Sequence, residues 1–234
     1  MFISVVQLKL PLVFKIKAVL FDLDGTLIEP RLSFAEAALR TLRLLGLGSS
    51  MSVSEVVKLM CRPFSEVLSV LAPQVSLNRD VKLKVLETYA REYGGCLRYV
   101  ELKPGAKELL EELRDYGVKT AVVTNRSWLV GYVKPTLRVL GLEGLVDAVV
   151  TILDVARCKP APDPVFEACR RLEVPCYEAV VVGDSPEDLR CGRAAGSKTV
   201  AYTGGFNSRE LLEAEGPNAV ICELRELIDV LRSL

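Results

Sequence analysis

Residues 17–27 read KAVLFDLDGTL: a short apolar run, two aspartates separated by one leucine, then a glycine. Side chains alternate along a strand, so Asp22 and Asp24 project to one side at its carboxyl end while Leu23 turns into packing. Gly25 lets the chain turn sharply and puts no side chain in the way of a ligand. Two carboxylates this close repel each other unless a cation or a shared proton relieves them. The stretch admits two readings: a strand closed by an Asp-Gly turn, both being common turn residues, or a metal-assisted site with one nucleophile and one proton donor. What lies downstream decides between them.

From Lys17 onward, β-branched runs alternate with amphipathic stretches. AVLF (18–21), KTAVVTN (119–125), DAVVT (147–151), EAVVVGD (178–184) and KTVAYT (198–203) read as strands buried on both faces, as in a parallel sheet covered by helices. Helices are expected near 104–116, 127–140, 163–172, 186–195, 208–215 and 223–233. Pro104, Pro162, Pro164 and Pro186 stand at or just before helix starts, where a missing N–H costs little. The pattern implies an α/β fold: a three-layer, doubly wound parallel sheet with a Rossmann-like core.

Residues 29–99 break that rhythm. They read as consecutive helices, roughly 33–45, 52–60, 63–72 and 78–92, punctuated by Gly46, Gly48, Pro73 and Gly94-Gly95. The expected organisation is a core of 17–28 plus 100–234, with a helical cap over 29–99 inserted at the carboxyl edge of the sheet. Ligands of open α/β sheets bind at that edge. The crossings at 28–32 and 98–103 would be hinges. Residues 1–16 read as an extra strand or an extension ahead of the core; their apolar part is too short to span a bilayer and lacks the marks of a secretory signal.

Composition narrows the chemistry. The 234 residues are half hydrophobic, with 30 basic and 30 acidic side chains and no histidine. A neutral balance without a basic run gives no stripe for nucleic acid and no anionic-membrane surface. The lack of histidine removes Ser-His-Asp and Cys-His catalysis and leaves acid–base work to carboxylates, Lys, Tyr or Cys. Seven scattered cysteines without a CxxC pair make a structural zinc site improbable and suit a reduced, cytoplasmic protein.

Three later segments add to the first motif. Thr124 and Asn125 end a strand, where a hydroxyl, an amide and backbone N–H groups could hold phosphate oxygens; an ordinary β-branched strand residue at 124 is the plainer reading. Ser127 could cap the next helix. Lys159 lies in CKPAPDP, a proline-rich turn that suits a positioned cation, though loop lysines are usually solvated. In GDSPEDLR, Asp184 and Asp188 bring two more carboxylates to the sheet edge, where oxygen ligands suit Mg²⁺; helix capping is the competing explanation. With Asp24 protonated as a donor, the charges on Asp22, Asp184 and Asp188 are balanced by a divalent cation plus Lys159. Without a metal the site would repel an anionic substrate.

In this order, DLDGT, a strand ending in Thr-Asn, a lysine before proline and GDSxxD, the chain resembles the haloacid dehalogenase-like hydrolases over about residues 17–222. The helical insertion matches their type-I cap, and the phosphoglycolate phosphatase-like branch is the most similar. The resemblance implies that Asp22 attacks phosphorus to form an aspartyl-phosphate, and that Asp24 protonates the leaving oxygen and then activates water. Gly25, Thr26, Thr124, Asn125 and Lys159 would hold the phosphoryl group. Mg²⁺ would be held by the Asp22 side chain, the Asp24 carbonyl and Asp184, with Asp188 supporting the site.

Within that family Asp24 argues against dehalogenation, whose enzymes lack the second aspartate. Thr26 and the absence of a cap histidine argue against a sugar-phosphate mutase, and nothing marks Lys58 as the amine of a phosphonate hydrolase. The expected activity is Mg²⁺-dependent hydrolysis of a small, phosphoglycolate-like phosphomonoester by a monomer or homodimer. A mutase or a catalytically idle regulatory module is the alternative. In LMCRPFSEV, where the branch commonly carries glycine, Arg62 would pair with an acid group on the leaving moiety or be a surface residue before a helix.

Overall fold

The computed structural model describes residues 15–60, 64–73, 79–126 and 130–234. Its main sheet has six strands: β1 (Ala18–Phe21), β4 (Lys119–Val123), β5 (Ala148–Val150), β6 (Ala179–Gly183), β7 (Lys198–Tyr202) and β8 (Ala219–Ile221). All pairings are parallel, in the order β5-β4-β1-β6-β7-β8. The five long apolar runs form strands as expected. β8 was not foreseen, because three residues, AVI, carry too little pattern to separate from a loop.

The alternation of side chains explains the layers. Val19, Phe21, Val180 and Val182 enter one apolar cluster, while Ala18, Leu20, Ala179 and Val181 enter another on the opposite face. The first cluster is covered by α5 (Ala106–Asp115), α6 (Val133–Val139) and α10 (Leu227–Ser233); the second by α7 (Asp163–Leu172) and α8 (Pro186–Ala194). Every residue of β1 and β6 is buried. Non-polar side chains on both faces of a central strand leave no place for a charge until the strand ends.

The chain runs from β1 outward through β4 and β5, then returns to β6 beside β1 and continues outward through β7. The direction therefore reverses next to β1, and the crevice at such a reversal opens at the carboxyl ends of the strands. Register pairs Phe21 with both Val122 and Val182, so Asp22, Thr124 and Asp184 leave the sheet at nearly one level.

Between β1 and β4 the backbone forms α1 (Arg31–Leu44), α2 (Val53–Val57), α3 (Phe64–Leu71) and α4 (Arg79–Cys96). Two short antiparallel strands, β2 (Ile28–Glu29) and β3 (Glu101–Leu102), tie the outgoing and returning chain together, Ile28 opposite Leu102 and Glu29 opposite Glu101. The sequence marked these crossings without a strand, since two residues show no period. Phe34 of α1 packs edge-on against Tyr89 of α4, ring centres 6.1 Å apart. The apolar cluster on the α5 side of the sheet continues into these helices through Phe34, Tyr89 and Tyr93. The extra strand expected in residues 1–16 falls almost wholly outside the described residues, as do Arg62 and Ser127. No helix among the described residues is long and apolar enough to cross a membrane.

Candidate active site

Asp22 follows the last residue of β1, its N–H donating to the Val182 carbonyl at 2.9 Å. With Asp184 and Asp188 it forms a buried group in which one carboxylate oxygen from each lies within 4.8 Å of the others. The strand ends account for two of the three. Asp188 arrives from α8, whose first turn opens Ser185-Pro186-Glu187-Asp188.

Asp188 both caps the helix and serves the site. One oxygen accepts from the Ser185 N–H at 3.1 Å and the Ser185 hydroxyl at 2.6 Å, closing a capping box. The other accepts from Lys159 Nζ at 2.5 Å. A side chain on Gly183 would overlap the Asp188 carboxylate, so that glycine is what lets the helix sit so close.

Lys159 is buried, and all three of its ammonium donors are used: Asp22 Oδ1 at 2.6 Å, Asp188 Oδ1 at 2.5 Å and the Val123 carbonyl at 3.1 Å. Burial works against its charge, but the Asp188 and Asp22 carboxylates outweigh burial and hold its pKa above the ordinary lysine value. Asn125 holds the loop that presents it, donating from Nδ2 to the Lys159 carbonyl at 2.9 Å and accepting the Lys159 N–H at 3.2 Å. Asn125, itself exposed, thus spends its amide on the Lys159 backbone, and Lys159 must exchange one bond to take a phosphate oxygen. The Thr124 hydroxyl accepts from Arg126 N–H at 3.2 Å, which leaves its own O–H as a donor.

Asp184 is fixed from two directions. Thr26, fully buried, donates its hydroxyl to one oxygen at 2.9 Å, and the Phe206 N–H donates to the other at 2.7 Å. Thr26, expected among the phosphate contacts, thus spends its hydroxyl on a carboxylate. Asn207 adds a bond from Nδ2 to the Asp184 carbonyl at 2.8 Å. Gly25 has φ +94°, and a Cβ there would collide with Asp184 and with the Phe206 ring; Gly205 is equally close to Asp184. The loop from Gly204 to Asn207 was missed in the sequence, where only a glycine pair just past a strand hinted at it.

Burial pushes the Asp22 carboxyl well above the usual carboxylate range; Lys159 opposes this, while Asp188 and Asp184 add to it. Burial likewise raises Asp184, to about 6, against the Phe206 N–H and with Asp188 adding to the rise. Three carboxylates facing one ammonium carry two surplus negative charges when ionised, the amount that a divalent cation neutralises. The donor set is all oxygen, as hard cations require, so these residues fit such an ion. The Asp22 oxygen not bonded to Lys159 and the Asp184 carboxylate would supply it, with Asp188 committed to Lys159 and Ser185.

Asp24 turns elsewhere. Its oxygens are gripped by the Arg126 guanidinium, Nε to Oδ2 at 2.6 Å and a terminal nitrogen to Oδ1 at 2.5 Å. Arg126 is buried, and although burial opposes its charge, Asp24 more than compensates and raises its pKa. This pair joins residues 102 positions apart and left no trace in the local sequence pattern. Lys58 lies just past α2, at the end opposite its Ser52 cap.

Residues 19–202 match the family model of the haloacid dehalogenase-like hydrolases. The chain belongs to that family. It is 33% identical over 219 residues to the putative pyrophosphatase PpaX of Caldanaerobacter subterraneus subsp. tengcongensis, covering 93% of this chain and 96% of that protein. It is 32% identical over 210 residues to the phosphoglycolate phosphatase of Nitrosospira multiformis, covering 86% and 89%. A crystal structure of a predicted phosphoglycolate phosphatase from Haemophilus somnus 129PT superposes with a TM-score of 0.81 at 25% identity, covering 92% of this chain and 98% of that one. Like other members of the haloacid dehalogenase-like hydrolases, the chain is an enzyme with a parallel α/β core.

Proposed function

We propose that this hydrolase is a divalent-cation-dependent phosphatase that cleaves a small phosphate compound through an aspartyl-phosphate on Asp22. The observation that carries the reading is the buried Asp22–Lys159–Asp188 chain, with Asp184 beside it, at the carboxyl edge of β1 and β6. A carboxylate oriented by an ammonium and facing an opening crevice is a competent nucleophile for phosphorus. In the first step an Asp22 oxygen bonds to phosphorus while the bond to the leaving oxygen breaks. Asp24 gives its proton to that oxygen. Each Asp24 oxygen gripped by Arg126 keeps a second lone pair, and the proton that Asp24 donates is carried on one of these. Water then attacks the phosphoryl group, Asp24 takes its proton, and Asp22 is released with inorganic phosphate.

The Thr124 hydroxyl and the backbone N–H groups at the strand ends would bind the phosphoryl oxygens, and Lys159 would add a contact by releasing one partner. Mg²⁺, when bound by Asp22, the Asp24 carbonyl and Asp184, would offset the repulsion between nucleophile and phosphate. The helices 29–99 would act as a cap over the crevice. The named relatives are called after pyrophosphate and phosphoglycolate. Both compounds pair a phosphoryl group with a second anion, and we assign the substrate to that class. Phosphate release from pyrophosphate, 2-phosphoglycolate, nucleotides and p-nitrophenyl phosphate tests this. Turnover of at least one doubly anionic compound should exceed that of p-nitrophenyl phosphate in kcat/KM, and a chelator should remove all of it. Undiminished turnover after metal stripping would end the proposal.

The pKa of Asp184 gives a second test. A carboxyl raised from 3.8 to about 6 on folding stabilises the metal-free fold at low pH, and that contribution disappears as pH rises through about 6. A cation replaces the proton. Calorimetric affinity for Mg²⁺ should therefore climb as pH rises through about 6, by up to roughly tenfold per unit for each proton displaced. An affinity flat through that pH would show that Asp184 is not the group the ion displaces a proton from.

A further inference from the structure

Arg126 holds Asp24 through both of its carboxyl oxygens. Its Nε and one terminal nitrogen span both carboxylate oxygens, so the Asp24 side chain can neither rotate nor shift without losing two charged bonds. The same terminal nitrogen donates to the Tyr93 hydroxyl at 3.1 Å, and the other reaches the Thr136 hydroxyl at 3.4 Å. Tyr93 belongs to α4, whereas Arg126 and Thr136 follow β4. The guanidinium carbon also lies 5.5 Å from the Tyr93 ring centre.

The contact between these two parts of the chain is built closely around that point. The Tyr93 hydroxyl also accepts from Ser33 Oγ of α1 at 3.3 Å. The Tyr93 ring meets Tyr132 edge-on at 5.8 Å. Gly94, next to it, stands where a Cβ would lie 2.7 Å from the Tyr132 ring, so only glycine allows α4 this approach. Thr136 in turn donates to the Tyr132 carbonyl at 2.6 Å. Both Tyr93 and Arg126 are buried, so neither gains from exchanging these bonds for water while the contact holds.

We infer that Arg126 is a positioning residue for Asp24, and that Tyr93 makes the orientation of Asp24 depend on how the helices 29–99 seat against the core. The inference rests on the reading of Asp24 as the proton carrier. The helices and Asp24 share one guanidinium, so displacing α4 removes a bond from the group that aims the carboxyl. Lysine cannot substitute: it is a point charge and cannot grip two oxygens in one plane.

The readout is the dependence on leaving group. Nitrophenolate departs with little help, whereas the alkoxide of 2-phosphoglycolate needs a proton, so a misaimed Asp24 should harm the second substrate more. Arg126→Lys should lower kcat/KM for 2-phosphoglycolate by about 10–100-fold and for p-nitrophenyl phosphate by only a few-fold, since that ratio reports the phosphoryl transfer and not the hydrolysis of the aspartyl-phosphate that both substrates share. Tyr93→Phe, which keeps the ring and removes one hydroxyl, should show the same asymmetry at about 3–10-fold. Asp24→Asn sets the reference pattern. Equal losses of kcat/KM on both substrates in the Tyr93 and Arg126 variants would overturn the inference while leaving Asp24 its role. If Asp24→Asn itself shows no asymmetry in kcat/KM, the role of Asp24 as proton donor falls and the inference with it. Should Arg126→Lys fail to fold in a thermal melt, Tyr93→Phe decides alone.

Discussion

Asp22→Asn is expected to abolish turnover, with a loss on the order of 10⁴–10⁶-fold, the range seen when a covalent nucleophile is removed. The amide has nearly the shape of the carboxylate but cannot form the acyl-phosphate, so the loss should appear in kcat. The fold should survive. Lys159 keeps Asp188 and the Val123 carbonyl as partners, and one of three crowded negative charges disappears. Burial and the neighbouring acids disfavour the Asp22 carboxylate, so the melting temperature of the metal-free variant should equal or exceed that of the native protein. Affinity for Mg²⁺ should fall, and a fluoride phosphate analogue that stabilises the native protein should no longer do so. Kinetics on p-nitrophenyl phosphate together with melts read all of this. Residual activity above about one per cent would move the nucleophile elsewhere, since a positioned amide offers no covalent route.

Part of this site was legible in the chain because it follows strand periodicity. AVLF, ending in Asp-Leu-Asp-Gly, and AVVVG, ending in Asp184, are fully buried strands whose first charges fall at the sheet edge. The ends of these runs put Asp22 and Asp184 at the carboxyl edge, and it is the register of β1 with β6 that brings them to nearly one level. Asp188 was legible by its place four residues beyond Asp184, at the start of a helix, which is also why capping and site chemistry were hard to separate there: one side chain does both. Periodicity says nothing about side chains that meet across the fold. The Asp24–Arg126 fork, the Phe206 N–H on Asp184 and the use of Asn125 to hold Lys159 are all such meetings. Thr26 shows the limit most plainly: the resemblance implies a phosphate contact for it, and nothing in the local pattern shows that its buried hydroxyl reaches Asp184.

Lys159→Met should weaken both the chemistry and the metal-free fold, by separable amounts. The side chain, one atom shorter, stays apolar and unbranched and loses the only ammonium facing Asp22 and Asp188 among the described residues. Removing one member of a buried ion-pair network leaves uncompensated charge and typically costs about 3–5 kcal/mol. For a chain of this size that lowers the melting temperature by roughly 10 °C. Mg²⁺ can take over part of the neutralisation, so the gain in melting temperature on adding it should be larger in the variant than in the native protein. Activity at saturating Mg²⁺ should still fall by about 10²–10³-fold, because an ion cannot both hold Asp22 in its attacking orientation and replace the charge that Lys159 offers phosphate. A loop lysine in solvent would give neither effect. If the variant loses stability alone and recovers full kcat with Mg²⁺, Lys159 serves to counter the repulsion of the acids, and contact with the phosphoryl group passes to Thr124 and the backbone N–H groups beside it.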